Sequence, residues 1–287
     1  MQTVHVIGAS GRTGKTLVRA LLARGIAVQP VVRDLRRWAA VAPPAQALLG
    51  EARVADLGDG FAIDRALADA RRIVSTAHAR TTEWLLEAAP AAARLVLLGS
   101  TRRYTRWLDA HGEGVLRGET VFLGSGRPGV MLHPTMIYGA EGENNVQRLA
   151  ALLRKLPLVP LPGGGQALVQ PIHQDDLSLC ILAALDVAWP EATTLVVAGP
   201  EPVTYAAFVR AVAAAARLKA PRIVNVPAGL LLAAAPLASR LPGLQKVSAD
   251  EIRRLQEDKA FAVGPMFATL GVRPISLQEG LARTFAR

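Results

Sequence analysis

Apolar and polar positions alternate along this chain in blocks of two kinds. Thr3 to Ile7 is a short β-branched run of the buried-strand type, and it breaks at Gly8, Gly11 and Gly14. From Lys15 to Arg24 the apolar residues Leu17, Val18, Leu21 and Leu22 recur at helical spacing. The pattern repeats. Further strands are predicted at Ala27 to Val32, Ala52 to Ala55, Arg72 to Ser75, Leu95 to Leu98 and Val130 to His133. Between them lie a helical pattern from Phe61 through Ile63 to Leu67 and a helix over Glu113 to Leu123. Strands alternating with helices require crossovers and a parallel sheet, so the expected class is α/β, a doubly wound parallel sheet of the Rossmann type. Its ligand crevice lies at the carboxyl ends of the strands.

From about Ala140 the alternation loses regularity, which divides the chain into a core over 1–139 and a mixed region over 140–287 that completes the core and adds a smaller subdomain. Glu141 to Asn145 reads as a mobile polar loop, Val146 to Leu156 as an amphipathic helix, and PLVPLPGGGQ as a turn-rich stretch before strand Ala167 to Gln170. Gly163 to Gly165 read as a hairpin-like turn or hinge, since no helix follows directly. Asp175 and Asp176 stand at the start of helix Leu177 to Leu185, where capping and dipole matching explain them. Leu195 to Ala198 and Ile223 to Val226 are predicted strands, and Thr204 caps a helix over Tyr205 to Leu218.

Composition narrows the setting. At 287 residues the chain can bury roughly three quarters of its unfolded surface. The single cysteine, Cys180, excludes an internal disulfide and sits in an apolar run as a buried small hydrophobe. No charged-then-apolar leader precedes the first strand, and a cytoplasmic location is expected. The most apolar segment, Pro227 to Ala238, is too short for a transmembrane segment and reads as a core or interface helix rather than a membrane-surface anchor. Histidines and carboxylates are dispersed without metal-ligand spacing, so no metal is expected. The net charge of +10 comes mostly from arginine, which favours an anionic ligand with bidentate geometry. Nucleic acid is not expected, because the arginines are scattered and no basic stretch is read as interleaved with aromatics.

The chemistry gathers at the first glycine turn. Gly8 lets the backbone leave the strand sharply, Gly11 clears the approach of a pyrophosphate to the main chain, and Gly14 lets the helix lie close on the sheet. Ser10, Arg12 and Thr13 complete an anion cradle at a helix N-terminus. A P-loop is excluded by spacing, since its earlier glycine would have to be at position 9, which is Ala9. About twenty positions past the last glycine a dinucleotide fold meets the adenine ribose, and there stands Arg33, followed by Asp34. Arg33 and Arg12 against a 2′-phosphate favour NADP(H) by roughly 1.5 to 3 kcal/mol, with Asp34 keeping NAD(H) as the alternative. Asp56 is placed to accept from the adenine amino group and Leu57 to pack on the ring, against a helix N-cap role. Thr76, Ala77 and His78 end the next strand beneath the nicotinamide half.

GASGRTG, the VVRD strand end, the ADL step, LLGS, HPTMIYG and QPIHQDDL together resemble the extended and atypical short-chain dehydrogenase/reductase superfamily. Within it the chain is similar to NmrA-like proteins, to bacterial NAD-dependent epimerase/dehydratase proteins and to relatives of the NADPH-binding accessory subunit of respiratory complex I. That resemblance spans nearly the whole chain. It implies a nucleotide cofactor, a small-molecule substrate under the later segments, and helix pairing with a second copy or another protein through Glu113 to Leu123. It also implies that Pro134 and Thr135 back the nicotinamide and that Ser100, with Thr101 beside it, holds the place of the catalytic serine.

The superfamily's tyrosine, with a lysine four residues on, is missing. Beyond Tyr104, Tyr138 and Tyr205 stand Leu108, Gly142 and Val209. If Glu119 matches the family glutamate, the tyrosine position falls on His111 and the lysine on Val115. His111 is then one candidate proton donor, against a surface residue in the loop HGEG, and Tyr104 is a second. His133, at a strand end, reads as a structural histidine. Two functions stay open: an NADP(H)-dependent oxidoreductase or epimerase-like enzyme, and a non-catalytic NADPH-binding sensor or assembly subunit.

Overall fold

A computed structural model describes residues 3–139, 145–156, 158–238 and 249–286. In chain order the first half runs β1 (Val4–Ile7), α1 (Arg12–Ala23), β2 (Val28–Val32), α2 (Leu35–Ala39), β3 (Arg53–Val54), α3 (Gly60–Leu67), β4 (Arg72–Ser75), α4 (Thr82–Ala88), β5 (Arg94–Leu98), α5 (Ala110–Gly124) and β6 (Gly129–Pro134). The second half runs β7 (Ile137–Tyr138), α6 (Asn145–Lys155), β8 (Leu158–Leu161), β9 (Leu168–Val169), β10 (Ile172–His173), α7 (Gln174–Asp186), β11 (Ala192–Val197), β12 (Val203–Thr204), α8 (Tyr205–Ala215), β13 (Arg222–Asn225), α9 (Ala228–Ala238), α10 (Ala249–Arg254), α11 (Gly264–Leu270) and α12 (Leu277–Phe285).

The central sheet has seven strands in the order β11-β6-β5-β4-β1-β2-β3, every pair parallel. The doubly wound α/β expectation is correct. Strand side chains alternate between two cores, because successive residues of a strand point to opposite faces. Val4, Val6, Val74, Val96 and Val130 join Leu17, Leu21, Leu177 and Ile181 of α1 and α7 on one face. Ile7, Ile73, Leu95, Leu97 and Met131 meet Ile63, Leu67, Leu85, Val115 and Phe122 of α3, α4 and α5 on the other. Cys180 is fully buried in the first core, with its Sγ 3.9 Å from Met266 Sδ. A third apolar cluster, with Tyr138, Val146, Leu153, Leu161, Phe208, Val212 and Leu281, belongs to the later elements.

Several local expectations need correction. HGEG is not a loop but the first turn of α5, capped by Asp109, whose side chain accepts from Gly112 N at 2.9 Å. Asp175 and Asp176 do lie in the first turn of α7, yet the cap is His173, whose Nδ1 accepts from Asp175 N. Asp176 instead reaches across the chain and accepts from Ile275 N at 3.1 Å. The turn-rich stretch holds β8, which pairs with β13 through contacts no local pattern encodes, followed by a 3-10 turn with Gly163, Gly164 and Gly165 all at positive φ. The expected strand at Ala167 to Gln170 is β9, whereas short β7, β10, β12 and helix α2 were not anticipated, since two-residue strands and a five-residue helix carry almost no periodicity. The polar stretch Glu141 to Asn145 lies outside the described residues except for Asn145, which opens α6. Among the described residues no helix is long and apolar enough to cross a membrane, and no group of three or more potential metal ligands is found.

Candidate functional site: a nucleotide crevice at the switch point

The chain leaves β1 toward β2 and β3, then returns to the other side of β1 as β4. The opening between the carboxyl ends of β1 and β4 is where ligands bind such sheets. Thr76, just past β4, ties this point together: its Oγ1 donates to Ile7 O at 2.9 Å and to Gly8 O at 3.2 Å. Gly8 adopts φ 77°, and a Cβ there would stand 2.7 Å from Thr76 Oγ1. At Gly14 a Cβ would meet Gly8 O at 2.1 Å, so the helix start lies directly on the turn. At Gly11 a Cβ would meet Gly8 O alone, at 3.1 Å.

These residues fit a dinucleotide diphosphate. Gly11 is the N-cap of α1 yet supplies no side-chain cap, and no acid occupies the first turn. The N-caps of α2, α3, α5, α7, α8 and α12 accept from the backbone, whereas α1, like α4 and α11, has no side-chain cap; the positive end of its dipole at the glycine turn suits an anion. Gly11 and Arg12 are exposed, while Ser10 and Thr13 are half-buried. Thr13 Oγ1 donates to Gln174 Oε1 at 3.3 Å, through which α7 braces the loop from below.

At the end of β2 the two neighbouring charges have different occupations. Asp34 caps α2, accepting from Arg36 N at 2.8 Å and Arg37 N at 3.2 Å. Arg33 extends into solvent, with Nη1 3.9 Å from Asp56 Oδ2. Asp56 also accepts from Gly58 N at 2.9 Å, while Asp59 rather than Asp56 caps α3. Leu57 is buried with Ile63 and Leu67 in the core below this rim.

The far side of the crevice is built from the segment after β5. Ser100 Oγ accepts from Arg102 N at 3.2 Å, and Ser100 N donates to Nδ1 of the fully buried His133 at 3.1 Å. Thr101 Oγ1 donates to Pro134 O at 3.2 Å, which joins the ends of β5 and β6. Glu119 of α5 is buried against this pair: its Oε2 lies 3.1 Å from His133 Nε2 and 2.5 Å from Arg103 Nε. Burial pushes the Glu119 carboxyl up, against the opposing Arg103 guanidinium. Burial, reinforced by Arg103, pushes His133 down to about 4, so the ring is neutral. Among the tyrosines only Tyr104 is exposed, its ring between His133 and Phe261 with the Arg103 guanidinium 4.6 Å from its centroid. Tyr138 is buried beneath Gly280 and its phenol is pushed upward by that burial.

His111 meets His78, a pairing that the sequence did not foretell. His78 Nε2 lies 3.0 Å from His111 Nδ1, and the rings stand edge-on. Val115, one helical turn on, is buried in the core, so no charged group takes the lysine's place there. The structure also brings the carboxyl-terminal region onto the segment after β5. Arg254 and Arg102 both contact Asp109 Oδ2, at 3.0 and 3.2 Å, and Glu257 accepts from Arg106 N at 2.7 Å and from Thr105 Oγ1. Arg102, Arg103, Tyr104, Arg106 and Trp107 do form a basic stretch with interleaved aromatics, which corrects the sequence reading. Within it Arg102 and Arg103 are engaged by carboxylates and Tyr104 packs on Phe261, while Tyr104 and Trp107 stay exposed.

Comparison with known proteins agrees with this geometry. Residues 8–113 match the NAD(P)H-binding family. No curated protein matches the chain. Among solved structures, gox2253 is 17% identical, covering 100% of this chain and 97% of its own, with a TM-score of 0.76. MoeE5, solved in complex with UDP-glucose and NAD, is 20% identical over 99% of this chain and 97% of its own, with a TM-score of 0.72. The UDP-glucose 4-epimerase of Thermotoga maritima, solved with UDP-glucose, is 14% identical over 99% and 98%, with a TM-score of 0.71. The likeness to these structures is one of fold, a Rossmann-type α/β architecture shared over nearly the whole chain, and residues 8–113 form an NAD(P)H-binding domain within it.

Proposed function

We propose that this protein is an NADP(H)-dependent oxidoreductase or epimerase-like enzyme that works without the tyrosine and lysine pair. The observation that carries the reading is the uncapped α1 N-terminus, with Arg33 exposed beyond it while Asp34 is spent as a helix cap. With Asp34 engaged by α2 and Asp56 only in a loose, exposed 3.9 Å contact, the Arg33 guanidinium favours a 2′-phosphate over a bare ribose. The residues that hold the nucleotide are Gly8, Ser10, Gly11, Arg12, Thr13, Gly14, Arg33, Asp56, Leu57, Ala77 and Pro134.

A bound nicotinamide nucleotide supplies or accepts hydride. Ser100 Oγ receives the Arg102 N–H, which leaves its own hydrogen available to a substrate oxygen. Tyr104 presents a second hydroxyl on the same wall, and His111 a ring N–H on the other. The region over 140–287 covers the substrate, and Arg254 and Glu257 brace the wall against the segment after β5. Nucleotide sugars head the substrates to test because MoeE5 and the T. maritima epimerase bind UDP-glucose. A buried lone cysteine agrees with a reducing compartment, the cytoplasm.

A second reading, a non-catalytic NADPH-binding sensor or assembly subunit, is favoured by Val115, which puts a buried methyl group where the superfamily lysine would stand. The two separate by following NADPH absorbance with quinones, aldehydes and nucleotide sugars. Turnover lost in Ser100→Ala at unchanged nucleotide affinity supports the enzyme. Tight NADPH binding with no turnover across the panel supports the binding protein.

A further inference from the structure

We propose that His111 serves the crevice as a neutral hydrogen-bond donor toward a substrate oxygen that gains negative charge, and that His78 is the positioning residue that holds it in that form. This deepens the enzyme reading above and rests on it.

The tautomers follow from one backbone amide. Arg80 N lies 3.0 Å from His78 Nδ1, and an amide N–H can only donate, so Nδ1 carries a lone pair and the His78 proton is on Nε2. That N–H points at His111 Nδ1, 3.0 Å away, with ring planes at 85° and centroids 4.2 Å apart. His111 Nδ1 therefore accepts, and its own proton is left on Nε2. Adding a proton to either ring would set two donors face to face, at Arg80 N or between the imidazoles. A neutral ring that offers N–H but gains no proton is suited to stabilising developing oxyanion charge, not to acid catalysis.

The surroundings act in the same direction. Arg80 comes from the turn that His78 opens, Arg102 from the segment after β5 and Arg254 from α10, and all three disfavour a cationic ring. Asp109 is the opposing carboxylate, but it is occupied by Gly112 N, Arg102 and Arg254. Burial is the largest cause, and it brings His78 down to about 4. The pairing is built into the packing of α5: a Cβ at Gly114 would stand 2.9 Å from His78 Cε1, so only glycine brings His111 this close. His78 lies beside the switch point, since it follows Ala77, whose backbone N is 3.4 Å from the Cβ position of Gly8, and His111 is joined to it at 3.0 Å.

Full-length protein labelled with 15N at histidine tests this directly. Long-range 1H–15N spectra from pH 7.5 down to 5.5 are expected to show both rings neutral and protonated at Nε2. His78→Ala should give His111 mixed tautomers and let it take up a proton at a higher pH than in wild type, because the donor that holds its Nδ1 lone pair is gone. His78→Gln, whose amide N–H can donate to His111 Nδ1, should restore the Nε2–H form. On a panel substrate that wild type turns over, His78→Ala should lower kcat on the order of tenfold, less than outright loss of an oxyanion donor. Its rate should also gain an acid limb that begins at a higher pH than any in wild type, while NADPH affinity is unchanged. An Nδ1–H or charged His111 in wild type at pH 7, or a His78→Ala variant that changes only thermal stability, overturns the inference while leaving the enzyme reading intact. Tight NADPH binding with no turnover by wild type removes the enzyme reading, and the donor role with it.

Discussion

Ser100 and His133 are joined by a hydrogen bond from the serine amide to the histidine Nδ1, 3.1 Å long and reaching into the core. It makes the wall of the crevice dependent on a ring that must stay neutral. Burial depresses the His133 pKa to about 4, whereas the unfolded chain titrates it near 6.5. Above pH 6.5 neither state binds this proton. As pH falls from 6.5 toward 4 the unfolded state takes it up first, so the ring destabilises the fold progressively, by up to roughly 3 kcal/mol. Glu119, held above its ordinary value, works in the opposite sense when it protonates. Thermal melts between pH 7 and 4.5 should show Tm falling more steeply in wild type than in His133→Gln. Equal slopes would remove His133 as a source of the acid sensitivity.

The Arg33 and Asp34 pair separates nucleotide choice from helix stability. Arg33→Ala, which removes one of the two guanidiniums, should weaken NADPH by about three- to tenfold with little change for NADH. Asp34→Ala should leave nucleotide preference alone and destabilise the fold by about 1 kcal/mol, the usual effect of losing a cap. Calorimetric titration with both nucleotides, beside denaturant melts, checks both. Equal losses for NADPH and NADH in Arg33→Ala would refute its role.

Gly14→Ala places a methyl group 2.1 Å from Gly8 O, a backbone atom that cannot rotate away. The glycine turn must then separate from α1, so NADPH binding should be lost beyond detection while circular dichroism still reports a folded chain. Retained micromolar binding would contradict the cradle.

On the outer face of α4 and α5, Trp84, Leu116 and Leu123 are 46%, 37% and 44% exposed. Leu116 and Leu123 are seven residues apart and so share one side of the helix. We expect this face to pair with a second copy. Light scattering should give a dimer mass for wild type and a monomer mass for the double variant Leu116→Arg, Leu123→Arg. A wild-type monomer at high concentration would exclude the pairing.

Much of this molecule was legible from local order. The β-branched run before Gly8, the helical spacing of Leu17 to Leu22 and their repetition predict a parallel sheet, because strand and helix periods are written in neighbouring residues. The glycine turn was legible for the same reason: a backbone that must bend sharply and approach itself at Gly14 admits one residue type. Cys180 was placed in the interior from its apolar neighbours and His133 was read as a structural group at a strand end, and both are buried.

Other features depend on residues far apart in the chain. Whether Asp34 serves a ribose or a helix depended on where α2 begins, and the pairing of β8 with β13 on a contact between segments some sixty residues apart. HGEG looked like a loop because its glycines are poor helix formers. In the fold they let α5 approach Arg102 and His78, and tertiary packing outweighs the propensity. The pairing of His78 with His111, and of Arg254 with Asp109, has no local signal at all, since one joins the segment after β4 to the start of α5 and the other joins α10 to the α5 cap. Residue order thus specified the scaffold and the phosphate cradle, whose physics is short-range. The charge and proton arrangement of the opposite wall arose only when the chain closed, because electrostatic and hydrogen-bond partners are chosen in space.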